Sequence, residues 1–216
     1  MKIEAVLFDL DGTLLNTLDD IADSANFALE QFGWPTHSVD AYRYFVGNGV
    51  DNLMRTIVPG GEAREPETLL SLKKVYLERY GAHSLDKTRP YEGVPEMIAE
   101  LKNMSLKLAV ASNKPDADSK FTMSRTFAEG AFDIVAGGKS GVPLKPDPAI
   151  VHNILAALGV TPAKALFVGD TNVDLATAKN AECRSVGVLW GFRPDEVSKA
   201  DFIISHPSEL IELIRQ

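Results

Sequence analysis

The chain has 216 residues, 45% of them hydrophobic and 24% charged, which is enough apolar material for a soluble globular protein with a real core. That length fits one ordinary domain, or a larger domain carrying a smaller one. A formal net charge of −8 leaves no broad basic surface to neutralise phosphates, so it argues against a nucleic-acid or anionic-membrane partner. A small phosphorylated anion can still bind where a cation or local positive groups offset the field. The single Cys183 excludes an internal disulfide and a cysteine zinc cluster, and reads as a small buried apolar residue. The N-terminal apolar stretch is short and interrupted by Asp9, so neither a secretory signal nor a transmembrane segment is expected; a cytoplasmic enzyme is the default.

In chain order, Ile3 to Phe8 reads as a short buried strand. Leu18, Ile21, Ala22, Ala25, Leu29 and Phe32 then recur at spacings of three and four, the pattern of one apolar helix face, with Gly33 as the stop. Helical patterns continue through Val50–Val58 and Pro66–Tyr80, and no strand is expected between Leu14 and about Arg89. From Gly93 onward helices and strands alternate. Helix Val94–Met104 leads to strand Leu106–Ala111, and helix Asp116–Phe127 to a short strand at Ile134–Val135. Helix Pro148–Leu158 precedes strand Ala165–Val168, and helix Asp174–Ala181 precedes strand Ser185–Leu189. Phe202–Ile204 and a closing helix end the series.

Such alternation implies parallel strands covered by helices on both faces, an α/β core of Rossmann-like type. The first strand belongs with the later ones. Residues 1–14 and 90–216 are therefore expected to form the α/β core, and 15–89 an inserted, all-helical domain. No repeat or low-complexity tract interrupts this plan.

Ligands of an open parallel sheet bind beyond the carboxyl ends of its strands. Asp9 and Asp11 follow the first strand, Ser112-Asn113 the second, and Gly169-Asp170 the strand Ala165–Val168, while Lys145 precedes the Pro148 helix. Residues two apart in extended backbone point to the same side, so Asp9 and Asp11 can face one pocket, and Gly12 lets the chain turn sharply. Carboxylates converging in one crevice need a counter-charge, and a hard divalent cation, magnesium first, suits oxygen ligands. Asp174, four residues after Asp170, fits either favourable placement in a first helical turn or metal ligation. Ser112 and Lys145 can supply a hydroxyl, nearby N–H groups and an ammonium to a phosphate.

These stretches resemble, in order, the motifs of the haloacid dehalogenase superfamily of phosphatases. Asp9-Leu10-Asp11-Gly12-Thr13 is similar to the first, Ser112-Asn113-Lys114 to the second, Lys145-Pro146-Asp147-Pro148 to the third, and Gly169-Asp170-Thr171-Asn172-Val173-Asp174 to the fourth. The inserted helices resemble the family's helical cap. The resemblance implies that Asp9 is the nucleophile, forming an aspartyl-phosphate, and that Asp11 is the acid and then the base. It implies magnesium held by the Asp9 carboxylate, the Asp11 backbone carbonyl and Asp170, with Asp174 an optional or supporting ligand. Ser112, Asn113 and Lys145 would bind the phosphoryl oxygens.

Asp11 argues against relatives that release halide or carry Ala at that position. Within the cap, Phe45-Val46-Gly47-Asn48-Gly49 resembles the cap loop of phosphoglycolate phosphatases, as does Val188-Leu189-Trp190-Gly191 near the chain's end. Gly47, Asn48 and Gly49, with Arg43 adding charge, are the expected substrate-binding set. The expected activity is hydrolysis of small phosphate monoesters like 2-phosphoglycolate. A pyrophosphatase, a β-phosphoglucomutase-like phosphotransferase, and, outside enzymes, a phosphoryl receiver or an inactive binding protein are the alternatives.

The chain departs from the family pattern at Ala181-Glu182, where relatives often show Ala-Gly; a local packing difference is expected. His37, His83, His152 and His206 are scattered, Trp34 and Trp190 read as packing residues, and Lys114 as a local hydrogen-bonding residue beside Pro115 or a helper of the phosphate site. Oligomeric state is not legible.

Overall fold

The computed structural model describes residues 2–61 and 64–216. Its centre is a six-stranded parallel sheet, in the order β5-β4-β1-β6-β7-β8. These strands are β1 (Ala5–Phe8), β4 (Lys107–Pro115), β5 (Ile134–Gly138), β6 (Ala165–Gly169), β7 (Arg184–Val188) and β8 (Phe202–Ile204). Helices α5 (Val94–Asn103), α6 (Asp116–Thr126), α7 (Ala149–Leu158), α8 (Asn172–Asn180) and α9 (Ser208–Arg215) alternate with them. The α/β reading therefore holds.

Strand β1 shows why its sequence is apolar throughout. Val6 and Phe8 join one buried cluster, with Val94, Leu101 and Leu210, on one face of the sheet. Ala5 and Leu7 join another, with Val151, Ile154 and Phe167, on the opposite face. Alternate residues point to opposite sides, and both sides are covered, so no position is left for a polar residue. The first position beyond the strand is Asp9, whose N–H still pairs with the Val168 carbonyl at 2.9 Å. The sheet ladder thus holds the backbone of the first site residue.

Between Leu14 and Gly93 the chain builds a second buried cluster, on α1 (Leu18–Gln31), α2 (Tyr42–Phe45), α3 (Val50–Ile57) and α4 (Pro66–His83). Leu18, Ile21, Ala22, Ala25 and Leu29 of α1 meet Leu53, Met54 and Ile57 of α3 and Leu72, Tyr76 and Tyr80 of α4. Gly33, at φ +67°, ends α1 as expected. One residue of the later sequence, Phe192, is buried in this cluster. Among the described residues, no helix is long and apolar enough to cross a membrane.

The region expected to lack strands contains a short one, whose partner lies at that region's edge. β2 (Leu15–Asn16) and β3 (Arg89–Pro90) pair antiparallel where the chain leaves and re-enters the sheet region. Two residues are too few to show an alternation, and their pairing is set by tertiary structure. Asp20 of α1 secures the return crossing: its buried carboxylate accepts the N–H groups of Lys87 and Thr88 at 2.8–3.1 Å. Two further boundaries shift. β4 runs on through Ser112, Asn113 and Lys114 to Pro115, with a change of register after Ala111. Helix α8 begins at Asn172 rather than Asp174.

The departure at Glu182 has a backbone reason. Helix α8 is capped by Ala181, and Glu182 adopts φ +59°, the left-handed conformation that glycine occupies without steric cost. A Cβ there is strained by roughly 1–2 kcal/mol. Glu182→Gly is expected to stabilise the protein by about 0.5–1 kcal/mol, the gain being reduced by the greater freedom of an unfolded glycine; urea unfolding monitored by circular dichroism measures it.

Candidate active site

Three neighbouring strand ends, those of β4, β1 and β6, supply the polar side chains. Asp9 and Asp11 follow β1, Ser112 to Lys114 close β4, and Asp170 follows β6. Lys145 reaches in from the segment before α7, and Asp174 from the first turn of α8. Carboxylate oxygens of Asp9, Asp170 and Asp174 all lie within 4.8 Å of one another, and all three residues are buried.

Lys145 is the ammonium inside this group. Its Nζ donates to Asp9 Oδ1 at 2.7 Å and to Asp174 Oδ1 at 2.8 Å. The amide and hydroxyl of Thr171 both donate to the other oxygen of Asp174, at 3.1 and 2.8 Å. Asp174 is thereby committed at both oxygens. The backbone of Lys145 is fixed by Asn113, whose Oδ1 accepts the Lys145 N–H at 2.7 Å while its Nδ2 donates to the Lys145 carbonyl at 3.0 Å. The same Nδ2 donates to the Gly47 carbonyl at 2.9 Å. The side-chain amide of Asn113 thus holds two backbone segments together.

One ammonium does not balance three carboxylates. Burial, with Asp174 and Asp11 adding repulsion against the attraction of Lys145, pushes the Asp9 carboxyl up to about 7. Asp170 is raised well above the usual carboxylate range by burial, then by Asp174 and Asp9, although the Phe192 N–H and the Thr13 hydroxyl donate to it. Burial alone would lower Lys145, but Asp174 and Asp9 together hold its ammonium above the ordinary value. A buried, oxygen-only donor set short of positive charge fits a hard divalent cation.

Gly12 is required by its surroundings. It sits at φ +88°, and a Cβ there would lie 2.4 Å from Asp170 Oδ2. The carboxylate of Asp11 turns away from the acidic group: Thr17 Oγ1 donates to it at 2.8 Å, and Lys114 Nζ contacts its two oxygens at 3.1 and 3.3 Å. Lys114 also donates to the Tyr80 hydroxyl of α4 at 2.6 Å. Its expected local role is therefore corrected, because the side chain links Asp11 to the helical block.

One cavity is lined by Asp9, Asp11, Ser112, Asn113 and Lys114 together with Gly47, Gly49 and Arg193. Of the four expected cap residues, Gly47 and Gly49 reach it. Asn48 is exposed and Arg43 is elsewhere, in a separate cavity with Tyr91 and Trp190, where it pairs with Asp40 at 2.8 Å. The polar side chains not anticipated include Tyr76, Tyr80, Asp118 and Arg193. Tyr80 closes a helix recognised only by its apolar period; Arg193 lies two residues beyond the Trp190-Gly191 pair already singled out.

This is a doubly covered parallel α/β protein with its ionisable groups gathered beyond the central strands. Residues 6–188 match the family described as haloacid dehalogenase-like hydrolase. A phosphoglycolate phosphatase of Aquifex aeolicus (strain VF5) is 32% identical over 216 residues, covering 98% of this chain and 97% of its own. One from Thiobacillus denitrificans is 32% identical over 211 residues, covering 96% and 93%. The crystal structure of a predicted phosphoglycolate phosphatase from Haemophilus somnus 129PT has a TM-score of 0.92 at 29% identity, with 99% of this chain and 98% of that one covered. The chain belongs to the haloacid dehalogenase-like hydrolase family.

The raised Asp9 carboxyl has a thermodynamic consequence. A carboxyl at about 7 in the folded state and near 4 unfolded binds its proton more tightly when folded, so its stabilising contribution is complete below pH 4 and is lost as pH rises through 7. In metal-free protein, Asp9→Asn is expected to raise the melting temperature by a few degrees at pH 8, with the gain shrinking as pH falls towards 4. Thermal melts in EDTA across that range check the sign.

Proposed function

We propose that the chain is a magnesium-dependent phosphatase that hydrolyses small phosphate monoesters, 2-phosphoglycolate first, through an aspartyl-phosphate on Asp9. The observation that carries this reading is the placement of Asp9. Its carboxylate lines the cavity shared with Asp11 and is held from behind by Lys145. The relatives named phosphoglycolate phosphatase support the substrate. On this reading residues 1–14 and 90–216 form the catalytic core and 15–89 the cap.

Lys145 holds one oxygen of Asp9, and the other attacks phosphorus. The bond from phosphorus to the ester oxygen breaks as Asp11 gives that oxygen a proton. Asp11 then takes a proton from the water that attacks the aspartyl-phosphate, releasing inorganic phosphate and restoring Asp9. Thr17 and Lys114 fix the direction of the Asp11 carboxyl during both transfers. Ser112 Oγ accepts the Lys114 N–H at 3.2 Å, which leaves its own proton for a phosphoryl oxygen. Lys145 has three donors; two are committed to carboxylates, and the third serves the phosphoryl group. Asn113 acts by positioning Lys145.

Magnesium, held by Asp9, Asp170 and the Asp11 backbone carbonyl, would offset the repulsion between nucleophile and phosphate. Asp174 orients Lys145 instead of ligating. Ile21, Val50 and Leu53 from the helical block line the other side of the cavity and limit water.

Phosphate release over a panel of monoesters, with and without EDTA, tests the reading. Turnover should stop in EDTA and return with added magnesium. Asp9→Asn should lower kcat at least about 10³-fold. Asp11→Asn should lower it roughly 10²–10⁴-fold for alkyl esters and much less for p-nitrophenyl phosphate, whose leaving group needs no proton. Equal losses on both esters would exclude the acid role.

A further inference from the structure

Arg193 is a buried guanidinium with donors to spare, set in the wall of the cavity. Its side chain is 8% exposed, and it lines the cavity with Asp9, Asp11, Gly47 and Gly49. Its Nε has no hydrogen-bond partner among the described residues. The Glu196 carboxylate forms an ion pair with that nitrogen at 3.6 Å, too long for a hydrogen bond, and the same oxygen already accepts the Asn172 N–H at 3.2 Å. Nη2 reaches the Val46 carbonyl only at 3.5 Å. A guanidinium carries five donors, and leaving a buried donor unpaired is costly.

The other lining cation is committed, since Lys114 is held by Asp11 and Tyr80. Lys145 lies between Asp9 and Asp174. Arg193 is also registered to the acidic group. Phe192 N donates to Asp170 Oδ2 at 2.8 Å, so the next residue projects from a backbone fixed beside the carboxylates. Gly47 makes room on the opposite side: a Cβ there would lie 2.9 Å from Arg193 Nη2.

Resting on the phosphatase reading, we infer that Arg193 is the specificity-determining residue that binds a carboxylate on the leaving portion of the substrate. The substrate class is then phosphate esters of small hydroxy acids. The planar fork matches a carboxylate in two parallel hydrogen bonds, a geometry that an ammonium cannot reproduce. This takes the recognising charge from the core loop after β7 and not from Arg43 of the helical block, which is paired with Asp40 in another cavity.

The experiment compares kcat/KM for 2-phosphoglycolate and for p-nitrophenyl phosphate, which has no carboxylate, in wild type, Arg193→Met and Arg193→Lys. Arg193→Met should lower the value for 2-phosphoglycolate at least about 30-fold more than for p-nitrophenyl phosphate, mainly through KM. Arg193→Lys should recover part of the difference, and glycolate should compete in wild type far better than in Arg193→Met. Equal losses on both esters, or no selective loss, would overturn the assignment while leaving the phosphatase reading intact. If wild type turns over neither ester, the phosphatase reading itself falls, and the assignment with it.

Discussion

The Lys145 ammonium, clamped between Asp9 and Asp174, is the contact around which the rest of the site is arranged. Bringing these charges out of water is costly, and loss of the one ammonium, which would leave the buried carboxylates uncompensated, typically costs about 3–5 kcal/mol. The surroundings fix every participant. Asn113 grips both backbone groups of Lys145, and Thr171 saturates the far oxygen of Asp174. The β1–β6 ladder carries Asp9 into place through its own N–H. The Asp9 carboxylate is thereby held on a rigid frame by the strand ladder and Lys145.

The same residues that build the ionic centre also join the two hydrophobic bodies. Asn113 reaches the Gly47 carbonyl, Lys114 reaches the Tyr80 hydroxyl, and Phe192 is buried among the helices while its N–H stays on Asp170. The geometry of the ionic centre and the seating of the helical block are therefore mechanically coupled. A shift of the block alters the partners of Asn113 and Lys114, and through them the settings of Lys145 and Asp11.

Much of this was readable in the sequence, for identifiable reasons. Strands buried on both faces leave unbroken apolar runs, so an aspartate at the end of one stands out, as Asp9 and Asp170 do. The helical insertion was visible in the three-and-four spacing of α1. What escaped depends on long-range packing. Leu15–Asn16 and Arg89–Pro90 are too short to carry a period, and only their meeting makes them strands. Arg43 was expected to add charge to the substrate loop, but a side chain's direction on a short helix is set by its neighbours, here Asp40. Arg193 lacked a local signal beyond a nearby Trp-Gly, because its importance arises from a cavity wall completed by residues about 150 positions earlier. Glu182 is the converse case, a sequence oddity whose left-handed backbone gives it a plain steric meaning.

The narrow ribbon formed by β2 and β3 has a consequence for how such a chain can diversify. Exit and return lie side by side, pinned by Asp20, so everything between them hangs from a single paired stem. The intervening helices can be lengthened, trimmed or replaced wholesale without disturbing the order of the parallel strands. A new lineage could inherit the chemistry unaltered and remodel only what is admitted to it, provided that the Asn113 and Lys114 handholds find equivalents on the replacement.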